Sequence, residues 1–270
     1  MTTSILLRVR HKTPVIIPNT DKKIKRFCEK SFLLPNRPSN RRGLAVIHVD
    51  IFRGGDHLDR LDRQNDARVA VLIHEMPTYT KKLMYLHGSA SAGYSRTSIG
   101  ILKYLPEDWQ LLTPDCPADP DECISMLRDL CEREKPDLII GCSQGGFYAH
   151  QLSGYKRICI NPALDLSRDA DIKIGKHQFI INRKDGIQSY TITPKMHQAY
   201  QAMEARQFDH VTDFDKENCY GLFGEQDTDW GYCKDIFSQH YNHISTFPGG
   251  HKMEYNEIET YLIPLIKRII

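Results

Sequence analysis

The chain has 270 residues, 40% of them hydrophobic and 26% charged, the balance of an ordinary globular protein with room for one large core or a core plus an appendage. No apolar run approaches a membrane span, and the start, MTTSILLRVRHKTPV, lacks the sustained apolar segment and cleavage site of a secretory signal. The formal charge of +2 hides an asymmetry: residues 1–75 hold 15 Lys+Arg against 8 Asp+Glu, the remainder 21 against 26.

The basic first quarter contains two strand-like runs, GLAVIHVDIF and RVAVLIHEM, joined by polar, arginine-rich stretches and no persistent amphipathic helix. It carries no interleaved aromatics or known recognition motif, so nucleic acid is not expected as a partner. A basic N-terminal extension, solvated and partly disordered, is the expectation; a docking arm is the alternative. HVDIFRGGDHLD gathers His48, Asp50, Asp56, His57 and Asp59, but no metal-ligand spacing is met and a surface loop is expected. Met76 could itself serve as an initiator. Residues 1–75 are therefore expected to be dispensable for the fold, with 76–270 forming the main domain.

From Met76 onward the pattern changes. KLMYLHG, QLLTPD, DLIIGC, RICINP, YGLFGEQD and HISTFPGG are short apolar runs ending in Gly, Asp or Pro, as in strands buried on both faces. Between them SRTSIGILKYL and DPDECISMLRDLCEREK read as helices. The second has a Cys123, Met126, Leu127, Leu130 stripe and Asp119 or Asp121 as cap. NEIETYLIPLIKRII closes the chain as a helix that Pro264 should kink. The alternation predicts an open α/β fold with a mostly parallel sheet and helices on both faces. The eight cysteines include no CxxC pair, so reduced, buried thiols and a cytoplasmic location are expected.

Gly141-Cys142-Ser143-Gln144-Gly145 is a GxSxG sequence that arises by chance in about one chain in ten of this length. Its context raises it: DLIIG reads as a buried strand and GGFYAHQLSG as a helix with Gly154 as its stop. Strand, GxSxG and helix together form a nucleophile elbow. A serine hydroxyl needs a base to accept its proton. Asp227 and then His251 follow later strand runs, which delivers an acid and an imidazole to the same sheet edge as Ser143. Asp229, two residues on, is the rival acid, or else a cap for WGYCKDIFSQHY. An oxyanion hole needs two donors, expected from the backbone N–H groups of Gln144 and Ser89. His87 and Gly88 close the strand before Ser89, and His87 reads as structural rather than as the base.

Residues 165–216 are too long for a simple crossover. HQFIINRKDGIQSYTI suggests a hairpin around Asp185-Gly186 and PKMHQAYQAMEARQF a helix from Pro194. This insertion is expected to lie over the site, with His87, Gly88, Met196 and Tyr200 as substrate-binding candidates, Met203 beside them. Core packing is the alternative for the two methionines and the tyrosine.

With LMYLHGSASAGYS, LLTPDCPADPDECISML, PDLIIGCSQGGFYAHQL, ICINPAL, NCYGLFGEQDT and PGGHKM in order, residues 82–268 resemble the YqiA/YcfP-like family of small bacterial α/β-hydrolases, usually called esterases. The resemblance implies a compact α/β-hydrolase fold without the early antiparallel strands of larger hydrolases, and a triad of Ser143, Asp227 and His251. It covers none of 1–75. The expected activity is cleavage of a small-molecule carboxylic ester or thioester through an acyl-enzyme, with no metal or organic cofactor. A catalytically silent binding protein on the same scaffold is the alternative.

Overall fold

The chain divides into two units, Met1–Thr78 and Tyr79–Ile270. The computed structural model describes residues 79–270 in full and, within 1–78, the backbone of four strands. These are β1 (Thr3–Arg8), β2 (Val15–Asn19), β3 (Val46–Ile51) and β4 (Arg68–His74), in sheet order β2-β1-β4-β3. β1 pairs parallel with β4; the outer pairs are antiparallel. β3 and β4 fall within the two strand-like runs. The side chains of Cys28, His48, Asp50, Asp56, His57 and Asp59 lie outside the described residues.

In the second unit every apolar run expected as a strand is one. β5 (Lys81–Leu86), β6 (Trp109–Leu112), β7 (Leu138–Cys142), β8 (Arg157–Ile160), β11 (Cys219–Gly224) and β12 (His243–Phe247) form one sheet, ordered β12-β11-β8-β7-β5-β6. All five pairings are parallel. The reason for the continuous apolar runs is visible in the core. Successive side chains of a strand point to opposite faces, and both faces are covered. Leu83, Tyr85, Leu138, Ile140, Ile158 and Ile160 join one buried cluster; Met84, Leu86, Ile139 and Cys159 join the other. The edge strands β6 and β12 are only partly buried.

The first of these faces packs α1 (Arg96–Tyr104) and the C-terminal helical segment. That segment runs as α7 (Tyr255–Glu257), a π-helical turn (Ile258–Leu262) and α8 (Ile263–Ile269). Pro264 has no N–H to continue the α-helical ladder, and the chain meets it with wider winding: the N–H of Ile263 donates to the carbonyl of Ile258. The other face carries α2 (Pro120–Glu134), α3 (Gln144–Ala149), α4 (Pro194–Glu204) and α6 (Cys233–Ser238), with α5 (Asp213–Asn218) leading into β11. In α2 Asp119 is the cap, accepting from the N–H groups of Asp121 and Glu122. The buried stripe is rotated from the expected one: Cys123, Ile124, Leu127 and Cys131 are inside, Met126 and Leu130 only half-buried.

Among the described residues no helix is long and apolar enough to cross a membrane. The seven described cysteines are free and buried.

Among the described residues one ion pair is fully inside. Arg157 on β8 holds Asp215 at 2.5 Å and also donates to the carbonyls of His150 and Leu152. Burial alone would push Asp215 up. The Thr212 hydroxyl, the N–H groups of Gly154 and Thr212, and Arg157 outweigh it and hold the carboxyl below the usual carboxylate range. Since the folded value lies below the unfolded one, this contribution is complete above the unfolded pKa and is lost as pH falls through the folded one. Asp215→Asn, which leaves Arg157 buried without its counter-charge, is expected to cost about 3–5 kcal/mol near neutrality and to flatten the acid limb of stability. Urea midpoints across a pH series measure both; an unchanged midpoint at neutrality would refute the assignment.

Candidate active site

Between β7 and α3 the chain reverses within a single residue. Ser143 sits at φ 56°, ψ −118°, a backbone conformation that L-residues rarely hold unless their surroundings impose it. Here they do. Its N–H donates to the Ile160 carbonyl, and its own carbonyl accepts from Phe147 and Ala163. The flanking glycines are required by contact: a Cβ on Gly141 would overlap the Gly145 carbonyl and the Ala149 methyl, and one on Gly145 would overlap the Leu86 carbonyl. The neighbouring Cys142 offers no competing nucleophile, because burial pushes its thiol up to about 12.

β11 ends at Gly224 and β12 at Phe247, and the loops beyond them bring Asp227 and His251 to Ser143. His251 Nε2 is 2.9 Å from Ser143 Oγ, and His251 Nδ1 is 2.7 Å from Asp227 Oδ2. Burial pushes Asp227 up, yet the hydrogen bond and charge of His251, with the N–H groups of Trp230 and Asp229, hold it below the usual carboxylate range. An ionised Asp227 makes Nδ1 the donor, so Nε2 is left to accept from the serine hydroxyl. Such a chain can draw the serine proton onto the imidazole.

Asp229 is not part of it. Its side chain is exposed, and only its backbone N–H reaches the site, donating to Asp227 Oδ1 beside that of Trp230. Nor does it cap a helix: α6 starts after Tyr232, and the turn is closed by Asp227 instead.

Gln144 and Ser89 flank Ser143 from two elements. Gln144 is the first residue of α3, where an N–H has no intrahelical acceptor. Ser89 follows Gly88, whose added Cβ would fall 3.2 Å from that of Ser143, while the Ser89 hydroxyl is tied to Asp169. Among the described residues neither N–H is engaged by another group of the protein. His87 is buried, with Nδ1–H on the Gly88 carbonyl and Nε2 accepting from the Cys116 N–H. Both ring nitrogens are thereby occupied by backbone, which removes it as a substrate contact.

The insertion contains the antiparallel pair β9 (Gly175–Gln178) and β10 (Ser189–Ile192), shorter than the expected hairpin, with Gly186 at φ 75° in the connection. It is fastened to the Ser89 side of the site: Ile180 N–H donates to the Ala90 carbonyl, and Arg183 to that of Cys116. Asp115 accepts from both Gly93 and Lys184 N–H groups. Tyr200 on α4 is fully buried and bonded to protein, and Met196 packs against the core. Tyr200 is therefore not free to line an open pocket, while Met196 is half-buried. Met203 lines a groove of about 350 Å³ between α2 and α4 that includes none of Ser143, Asp227 and His251.

Asn161 is the residue that the motifs did not announce. It is fully buried at φ 42° just beyond β8. Its Nδ2 donates to the carbonyls of Gly250 and His251, and its Oδ1 accepts from the Gly224 N–H. One side chain thus ties the His251 loop to the strand end that leads to Asp227. The only local trace was an asparagine directly after the RICI strand, a residue type tolerant of positive φ.

Among curated proteins no sequence match is found. Solved structures give the fold. The ferulic acid-bound Est1E of Butyrivibrio proteoclasticus is 14% identical with a TM-score of 0.53, over 83% of this chain and 94% of that one. The esterase domain of a Rhodothermus marinus protein is 16% identical with a TM-score of 0.51, over 71% and 88%. The monoacylglycerol lipase of Paleococcus ferrophilus is 13% identical with a TM-score of 0.50, over 70% and 93%. The sheet and its helices are those of the α/β-hydrolase fold. Residues 82–266 match the model of the Uncharacterised protein family (UPF0227), the YqiA/YcfP family, and the chain belongs to that family.

Proposed function

We propose that this protein is a serine hydrolase that cleaves a small-molecule carboxylic ester or thioester through an acyl-enzyme. The observation that carries the reading is the unbroken chain from Ser143 Oγ through both nitrogens of His251 to a buried Asp227. His251 takes the serine proton as Oγ attacks the carbonyl carbon, then returns it to the leaving alcohol or thiol. Water repeats the sequence on the acyl-enzyme and restores the serine. Asp227 keeps the imidazole in the accepting tautomer and stabilises its charged form. The backbone N–H groups of Gln144 and Ser89 stabilise the tetrahedral oxyanion.

A fluorophosphonate probe tests this directly. Wild type should be labelled at Ser143 and the Ser143→Ala variant should not; a folded wild type that resists labelling would sink the proposal. The same reading takes 76–270 as the catalytic domain and 1–75 as an extension it does not need. A 76–270 chain is expected to be soluble and labelled at the full-length rate, and an insoluble or unlabelled product would defeat that division.

A further inference from the structure

The two oxyanion donors of the proposed hydrolase stand on different elements, yet both are braced from one loop, residues 113–118 after β6. On one side the Cys116 N–H donates to His87 Nε2 at 2.9 Å, and His87 Nδ1–H donates to the Gly88 carbonyl at 2.8 Å. The Gly88 carbonyl and the Ser89 N–H belong to one planar peptide unit. Holding the carbonyl on the histidine turns the N–H the opposite way.

On the other side the Ala118 carbonyl accepts from the Tyr200 hydroxyl at 3.0 Å. That oxygen accepts in turn from Gln144 Nε2 at 2.9 Å and from the Tyr148 hydroxyl at 3.3 Å. A phenol has one proton to give and two lone pairs to receive, and here all three are used with the side chain fully buried. The Gln144 side chain is therefore spent on the insertion helix, and it anchors the first residue of α3, whose N–H is the other donor.

We propose that Tyr200 is a positioning residue for oxyanion stabilisation: from the insertion helix it fixes Gln144, while His87, held by the same loop, fixes Ser89. This rests on the serine hydrolase reading. The Tyr200 hydroxyl reaches the reacting atoms only through Gln144.

The test is Tyr200→Phe, which removes one oxygen and leaves Gln144 Nε2, the Tyr148 hydroxyl and the Ala118 carbonyl without that partner. With p-nitrophenyl acetate, kcat is expected to fall about tenfold, less than the loss of a donor itself, with KM within about twofold. The affinity for a trifluoromethyl ketone, whose adduct with Ser143 carries an oxyanion, should fall by the same factor as kcat/KM. Tyr241→Phe is the comparison: that buried hydroxyl bonds His150 outside this network, so it should lower Tm while kcat and inhibitor affinity stay at wild-type values. Gln144→Met removes the same hydrogen bond from its other end, and combining it with Tyr200→Phe should add almost nothing further. A folded Tyr200→Phe protein with unchanged kcat and inhibitor affinity, or losses that multiply in the double variant, would overturn the proposal. If Tyr200→Phe does not fold, Gln144→Met alone decides it by the same kcat and inhibitor readouts. Wild type that resists fluorophosphonate would instead refute the hydrolase reading, which keeps the two failures apart.

Discussion

Replacing Ser143 with alanine is expected to lower kcat by about six orders of magnitude and leave KM nearly unchanged, because the covalent route is lost while the binding surface stays. The elbow itself should survive. Alanine is smaller than serine, and the positive φ at this position is imposed by the backbone bonds to Ile160, Phe147 and Ala163, not by the hydroxyl. A near-native Tm with no turnover is the expected pair of results. Because the hydroxyl and imidazole act as one unit, His251→Ala added to Ser143→Ala should cost nothing more. Ester turnover by the single variant within tenfold of wild type would remove Ser143 from the mechanism.

The second large effect separates two aspartates two residues apart. Asp227→Asn should lower kcat about 10⁴-fold. An amide in that place can donate to Nδ1, which favours the tautomer with its proton on the wrong nitrogen, and it supplies no charge to the imidazolium. Asp229→Asn should stay within about threefold, since only its backbone N–H touches the site and the substitution keeps it. Equal losses in the two variants, or a larger one at Asp229, would contradict the geometry. Asp227 is held below the usual carboxylate range, so it is ionised near neutrality, where the two variants are to be compared.

The strands, and the strand ends that bring Ser143, Asp227 and His251 together, were legible because their signals are local. DLIIGC and RICINP are apolar without alternation since both faces of the sheet are buried, and a nucleophile elbow writes its steric needs into Gly141 and Gly145. Other features escaped because their causes lie far along the chain. Asn161 acts on residues 63, 89 and 90 positions away, and Tyr200 is matched to Gln144 across 56. In the sequence each is only a polar residue near an apolar run. Tyr200, in the insertion, was a candidate for the pocket lining or for the core, and in the structure it is fully buried. Asp227 is the expected acid and Asp229 its rival two residues on; the turn folds the Asp227 side chain inward onto His251 and leaves that of Asp229 exposed. Helix α2 shows a milder case, where the apolar pattern gave the helix but not its rotation, because Met126 and Leu130 border a surface groove.

Asn161 has a mechanical consequence. It bridges the ends of two neighbouring strands, and with the Gln226 N–H on the Gly249 carbonyl it ties the loops of Asp227 and His251 to each other. A disturbance at Asn161 would therefore reach both proposed partners of Ser143 together, although they come from different strand ends.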